Sequence, residues 1–275
     1  MRGAKSMKKY NIGFIGSGKM ASAIIKGLVG SGFASPENLM ATQAEREGVE
    51  EKSKELGIRI ILDNKELAKH SDVIIIAVKP NQVEGVLDEV KEFVTPEKLV
   101  ASIAAGMTTG FLESKLNDLT RIVRVMPNTP ALVGEGMSGI CGGKFATEED
   151  LEYIKSLLSS IGKCIIVDEK QIDIVTAISG SGPAFFYKVI NDIARAGEKL
   201  GMDYDKALLL SIQTAIGSAK MAMNRTIPME ELISNVATKG GCTRVGVDCM
   251  EEEDTTKIFY DVIKSTTEKA HALGK

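Results

Sequence analysis

An apolar strand that runs into glycines spaced Gly-x-Gly-x-x-Ala, and from there into a helix, constrains this chain more than any other ten residues. The stretch is Ile12-Gly13-Phe14-Ile15-Gly16-Ser17-Gly18-Lys19-Met20-Ala21, followed by a helical run to Leu28. A strand feeding a glycine turn and a helix N-terminus is what a dinucleotide pyrophosphate requires. Gly16 permits the tight turn, Gly18 lets the backbone approach the phosphates, and Ala21 keeps helix and strand close. The unpaired N–H groups of the first helical turn face the anion. Glycines at this spacing also occur in ordinary strand–helix turns. Here both flanking elements are present, so the segment is read as a nucleotide site.

The 275 residues, 44% apolar and 26% charged, suffice for two domains with a substantial core. A net charge of −3 leaves no basic surplus and argues against nucleic acid as a partner. No apolar run reaches the roughly 18 residues needed to cross a bilayer, and none fits a secretory signal, so no membrane association and a cytoplasmic location are expected. Residues 1–8, with a second methionine at Met7, read as a tag remnant or disordered extension. Cys141, Cys164, Cys242 and Cys249 are scattered, with no Cys-x-x-Cys pair and no nearby histidine. That argues for a reducing compartment and against a disulfide scaffold or a metal site. The only histidines are His70 and His271, so a Ser-His-Asp triad or a His-Asp proton relay is not expected. The chemistry must manage without an imidazole.

Up to residue 168 the chain alternates β-rich runs with amphipathic helices, the pattern of a parallel sheet covered on both faces. Strands are predicted over 11–16, 38–42, 73–78, 99–103, 121–126, 137–141 and 164–167, and helices over 19–29, 45–56, 81–92, 110–116 and 148–160. Beyond Val167 the strand signal vanishes. Asp168 and Gln171 form a capping-box pattern, and Pro183 suits the first turn of a helix running to about Leu200. A further helix, predicted over 204–223, is apolar around most of its circumference, which calls for cover on several sides, from another subunit or as the central helix of a monomeric bundle. The expected fold is α/β, with a Rossmann-type doubly wound sheet over 9–168 and an all-helical dimerisation and substrate domain over 169–275.

The end of the second strand should decide which dinucleotide is held. A carboxylate there favours the ribose hydroxyls of NAD and repels the extra phosphate of NADP. The strand ends at Thr42-Gln43, with no acid until Glu45, and Arg46 is a candidate for the phosphate or else a solvated helix residue. Lys79, in Ala77-Val78-Lys79-Pro80, falls at the carboxyl end of a strand, where ligands bind in open sheets, and reads equally as a loop lysine. Ser102-Ile103-Ala104-Ala105-Gly106 ends another strand in small residues, and Arg124-Val125-Met126-Pro127-Asn128-Thr129-Pro130 forms a rigid turn after a fifth. In the helical part, Ser179-Gly180-Ser181-Gly182-Pro183 opens a helix and is either an anion site or a plain helix start. Val236-Ala237-Thr238-Lys239-Gly240-Gly241-Cys242-Thr243 is a second glycine turn whose N–H groups would suit a carboxylate.

Taken together, these segments make the chain resemble the pyrroline-5-carboxylate reductase family from about Lys9 to Leu273. The resemblance implies an N-terminal Rossmann domain and a helical C-terminal domain that builds an intertwined homodimer, with decamers assembled from dimers. It implies NADPH, with NADH as the alternative, reducing 1-pyrroline-5-carboxylate to L-proline. Cofactor contacts fall on Ile15, Gly16, Ser17, Gly18, Lys19, Met20, Thr42, Gln43, Asn64, Ala77, Val78, Lys79, Pro80, Ser102, Ala104 and Ala105. The substrate site falls on Thr238, Gly241, Cys242 and Thr243, with the Thr243 hydroxyl near the ring nitrogen as the catalytic group. Two residues depart from the family pattern: Lys239 stands where proline is usual, and Cys242 where a small or hydroxyl residue is common. A β-hydroxyacid dehydrogenase, whose lysine Lys188 with Asn191 would crudely echo, and a non-catalytic dinucleotide-binding paralogue are the rival readings.

Overall fold

The computed structural model describes residues 10–274, so the extension expected over residues 1–8 lies outside the described residues. One sheet contains β1 (Ile12–Ile15), β2 (Leu39–Thr42), β3 (Arg59–Ile61), β4 (Val73–Ile76), β5 (Leu99–Ser102), β6 (Arg121–Met126), β7 (Gly136–Gly142) and β8 (Gly162–Ile166). Their order is β3-β2-β1-β4-β5-β6-β7-β8. The chain therefore winds outward one way from β1 through β2 to β3, then restarts on the other side at β4. Strands β1 to β6 are parallel.

The expectation of an all-parallel sheet is corrected at β7, which runs antiparallel to β6. The connection, Pro127 to Glu135, holds only a 3-10 turn over Thr129–Val133. That is shorter than the dozen or so residues a parallel crossover needs. Two further elements are not predicted by the sequence pattern. One is the edge strand β3, three residues with Arg59 exposed; the other is the helix Asn64–His70, capped by the Asp63 carboxylate on the N–H groups of Lys65 and Glu66.

The helices of this part are α1 (Lys19–Gly30), α2 (Val49–Leu56), α3 (Asn64–His70), α4 (Pro80–Val90), α5 (Thr109–Lys115), α6 (Glu148–Leu158) and α7 (Ile172–Val175). Successive strand residues point to opposite faces, and each face has its own core. On one side Ile12, Phe14, Val73 and Ile75 pack with Ile24, Ile25, Leu28 and Leu157 of α1 and α6. On the other, Ile15, Ile74 and Ile76 pack with Leu67, Val83, Leu87 and Leu112 of α3, α4 and α5. Strand β4 is buried at every position, as a central parallel strand must be.

The chain forms two compact units, residues 10–180 with 267–274, and residues 181–266. The sequence division at 168 differs from this, because the stretch Glu169–Gly180 stays fastened to the sheet. The Glu169 carboxylate accepts hydrogen bonds from the N–H and hydroxyl of Thr109, at 2.7 and 2.5 Å. Arg124 on β6, only 6% exposed, donates to Glu169 at 3.3 Å and lies 3.7 Å from Asp173. Val175 fills the space that a Cβ on Gly139 would take, 2.7 Å away. From the far end of the chain, His271 Nδ1 comes within 3.1 Å of the Asp173 carboxylate, and the Leu273 carbonyl reaches the turn at Gly106. Replacing Arg124 with methionine leaves the Glu169 and Asp173 carboxylates without their buried guanidinium. With Glu169 a third exposed, the loss is expected to be about 2 kcal/mol, read as a lower urea midpoint at unchanged slope.

Burial also sets an alkaline limit. It pushes the thiols of Cys141 and Cys164 up to about 12, and it raises the Tyr153 phenol as well. Both thiols stay protonated in the fold while the unfolded chain ionises, so stability is full below the ordinary thiol value of 9 and is lost as pH rises toward 12. Urea midpoints are expected to fall across that interval, and neither thiol should react with a disulfide reagent near neutral pH until the protein is unfolded.

The second unit is helical: α8 (Gly182–Lys199), α9 (Tyr204–Met223), α10 (Met229–Val236), α11 (Cys242–Glu252) and the larger part of α12 (Thr255–Leu273). Helices α8 and α9 match the sequence reading closely. They pack through Gly197 against Ala207, through Tyr204 Oη donating to Asn191 at 2.9 Å, and through Arg195 stacked 4.2 Å from the Tyr204 ring. Within a single chain, much of the apolar surface of α9 is left uncovered: Leu209 is 67% exposed, and Met221 and Met223 are similar. None of the described residues of α10, α11 or α12 is buried.

Candidate active site

The carboxyl ends of β1, β2, β4 and β5 lie side by side in the first unit, and four of the predicted cofactor segments follow them directly. Gly16 has φ +102°, and a Cβ there would sit 2.8 Å from the Ala77 carbonyl oxygen, so only glycine fits. Its N–H donates to the Thr42 hydroxyl at 3.1 Å. Ala77 N–H in turn donates to the Ile15 carbonyl at 2.9 Å, locking the turn to β4. Gly18 is the N-cap of α1, with no atom within 4 Å of where a side chain would begin. The first turn of α1 carries no acidic residue. A tight turn, an open backbone and a helix start free of carboxylate fit a dinucleotide pyrophosphate.

The other predicted contacts take differing positions around this turn. Ile15, Thr42, Ser102 and Ala104 are buried, Ser17, Met20, Gln43, Asn64, Ala77 and Val78 are half-buried, and Gly18, Lys19, Lys79, Pro80 and Ala105 are exposed. The Thr42 hydroxyl is committed beneath Gly16. Gln43 turns its amide into the loop after β2, donating to the carbonyls of Glu45 at 3.1 Å and Glu47 at 2.6 Å. Helix α2 therefore begins at Val49, not at 45 as the sequence suggested, with Gly48 in the left-handed conformation at its cap. Asn64 opens α3 and donates to Glu89 at 2.8 Å. Pro80 begins α4, where the Gln82 side chain accepts from the Lys79 N–H at 3.3 Å. The Ser102 hydroxyl accepts from Ala104 N–H at 3.3 Å and so shapes the turn after β5.

The turn after β6 and the Ser179–Pro183 segment, read as a possible anion site, are tied together by architectural hydrogen bonds. Asn128 donates to the Ser179 carbonyl at 3.1 Å and accepts from Met137 N–H at 2.8 Å, while the Ser179 hydroxyl donates to the Met137 carbonyl at 3.1 Å. Arg124 is buried in its ion pairs. At the rival lysine site, the exposed Lys188 pairs with Asp192 at 2.5 Å and Asn191 accepts from Tyr204.

In the second unit, the glycine turn joins α10 to α11. Gly240 has φ +78°, Gly241 N–H donates to the Thr238 carbonyl at 3.0 Å, and Gly241 caps α11 in an extended conformation. Cys242 and Thr243 are exposed and occupy the first turn of α11, which contains no acid. That arrangement leaves N–H groups suited to a carboxylate. Arg244, next along, is consumed by Asp248 at 2.5 Å and Glu251 at 3.0 Å. Lys239 is exposed. Among the described residues, no three His, Cys, Asp or Glu side chains are grouped to hold a metal ion.

A Rossmann strand order with a phosphate-type glycine turn, joined to a separate helical unit, defines a dinucleotide-binding protein of the two-unit kind. Residues 11–106 match the family described as NADP oxidoreductase, coenzyme F420-dependent, and residues 169–273 match pyrroline-5-carboxylate reductase dimerisation. The pyrroline-5-carboxylate reductase of Methanosarcina acetivorans is 40% identical over 269 residues, covering 98% of this chain and 100% of the relative. A solved pyrroline-5-carboxylate reductase from Coxiella burnetii superposes with a TM-score of 0.93 at 32% identity, covering 98% of this chain and 100% of that one. The Plasmodium falciparum pyrroline carboxylate reductase, solved with NADP bound, gives 0.85 at 33% identity, with coverage of 98% and 100%. This chain belongs to the pyrroline-5-carboxylate reductase family.

Proposed function

We infer that this chain reduces 1-pyrroline-5-carboxylate to L-proline with NADPH, the last step of proline synthesis. The observation that carries the reading is the 40% identity to the Methanosarcina acetivorans enzyme along its whole length. NADPH, when bound, supplies the hydride. The Gly16 turn and the first N–H groups of α1 hold the pyrophosphate, and Ala77 to Pro80 with Ser102 to Ala105 border the nicotinamide half. The absence of a carboxylate at Thr42-Gln43 favours NADPH over NADH.

The Cys242 and Thr243 N–H groups at the start of α11, with the Thr238 hydroxyl and the Gly241 backbone, hold the substrate carboxylate. The Thr243 hydroxyl makes a hydrogen bond to the ring nitrogen. A protonated cyclic imine accepts hydride at carbon and becomes a secondary amine, so no alkoxide forms and no strong acid is required. That suits a chain whose two histidines lie outside both glycine turns.

The uncovered apolar faces of α8 and α9 pack against a second copy as a homodimer, and dimers assemble further into a decamer. No helix of the described residues is long and apolar enough to cross a membrane, and we place the enzyme in the cytoplasm. Adding 1-pyrroline-5-carboxylate is expected to consume NADPH absorbance and yield proline in equal amount. Failure to oxidise NADPH across a wide pH range would overturn the assignment.

A further inference from the structure

We propose that Gln43 is a positioning residue for cofactor choice: its amide clamps the loop after β2 so that Arg46 meets the 2′-phosphate of NADPH. The proposal rests on the NADPH reading above. Gln43 is itself anchored, because its backbone N–H donates to the Ile61 carbonyl of β3 at 3.0 Å. The side-chain amide then spends both N–H groups, on the carbonyls of Glu45 and Glu47. Those two carbonyls lie on either side of Arg46. The Arg46 carbonyl is also held, by the Val49 N–H at 3.4 Å, and Gly48 at φ +77° returns the chain to α2. Three consecutive carbonyls are therefore fixed around one guanidinium-bearing residue.

The loop carries the recognition chemistry for both cofactors. Glu45 and Glu47 are carboxylates of the kind that hold ribose hydroxyls, and Arg46 is the cation that takes a phosphate. Its formal charge is −1, so charge alone would not select NADPH. Backbone conformation decides which side chain is delivered to the ribose. Gln43 has no N–H left to donate, and its remaining polar atom is an acceptor, which a phosphate does not bind. Its contribution therefore runs through the loop and not through direct contact.

The test is a titration of NADPH and NADH into the intact enzyme without substrate, following nicotinamide fluorescence. The variants are Gln43→Met, which keeps length but has no donor, Arg46→Ala, and the two combined. Each single substitution is expected to raise the NADPH Kd about tenfold and to leave the NADH Kd within about twofold, as for loss of one charge-assisted contact. The double variant should be no weaker than Arg46→Ala. If Gln43→Met fails to fold, Gln43→Asn, which keeps the amide but shortens its reach, should show the same selective loss. Equal weakening of both cofactors, an unchanged NADPH Kd, or additive effects in the double variant would each overturn the clamp. The titrations are independent of turnover. Selective Kd shifts in an enzyme that does not reduce 1-pyrroline-5-carboxylate would sink the reaction and leave the clamp standing.

Discussion

Thr243→Ala is expected to lower kcat for 1-pyrroline-5-carboxylate reduction by about a hundredfold, the low end for a positioned hydrogen-bonding group in the transition state. The substitution removes one hydroxyl from the first turn of α11 and leaves the backbone N–H groups of Cys242 and Thr243 in place. Carboxylate binding should therefore survive, and KM should change far less than kcat. NADPH Kd should change far less than kcat, since the substitution alters none of the residues proposed to hold the cofactor. Thr243→Ser keeps the hydroxyl and should recover most of the rate. A variant without the hydroxyl that turns over at the wild-type rate, at any pH, would show that the ring nitrogen finds its partner elsewhere.

Gly16→Ala is expected to weaken NADPH by at least about a hundredfold and to destabilise the first unit by roughly 1–3 kcal/mol, the cost of a strained left-handed residue. The added Cβ would lie 2.8 Å from the Ala77 carbonyl oxygen and 3.1 Å from Val78 Cγ1. Neither can step aside cheaply, because Ala77 N–H is bonded to Ile15 at 2.9 Å and β4 is fully buried. Relief must come from opening the turn itself, which moves the N–H groups away from the pyrophosphate. Gly18→Ala is the control: Gly18 has φ −66° and open space beside it, so that variant should melt like the wild type. Its methyl would obstruct only a bound phosphate. Fluorescence titration with thermal unfolding separates the two cases, and a Gly16→Ala protein that binds NADPH normally would remove the turn from the site.

The elements legible in the sequence were those whose residues are buried in a regular period. Val73–Ile76 and the long helices α8 and α9 left strong apolar signals, and their positions followed. Strand β3 left almost none, since three residues with one exposed arginine make no alternation. Helix α3 is short and polar in its first turn, yet Asp63 with Glu66 was a readable cap. The direction of β7 was hidden because a strand reads alike in either sense, and only the short connection betrays it. At the site, residue types mark the carboxyl ends of β1, β2, β4 and β5 as the ligand edge, but they do not show which side chains are already engaged within the fold. Thr42 and Gln43 are hydrogen-bonding residues at the end of β2, and the sequence names no partner for them within the fold. Their partners are Gly16 and the loop carbonyls, which only coordinates reveal.

The return of the chain's end to the first unit makes the helical unit an excursion, not an appendage. It departs after Gly180 and comes back at Thr267, with His271 beside Asp173 and Leu273 against Gly106. Two moorings confine a segment more than one, since each closes a loop of chain and removes freedom from it. A nick after Gly180 leaves the helices tied to the first unit only through the noncovalent seat of residues 267–274, whereas a nick at Thr267 leaves them joined to it through the chain. The end of α12 also abuts the turn at Gly106, so a tag joined to the carboxyl end would sit beside the carboxyl end of β5.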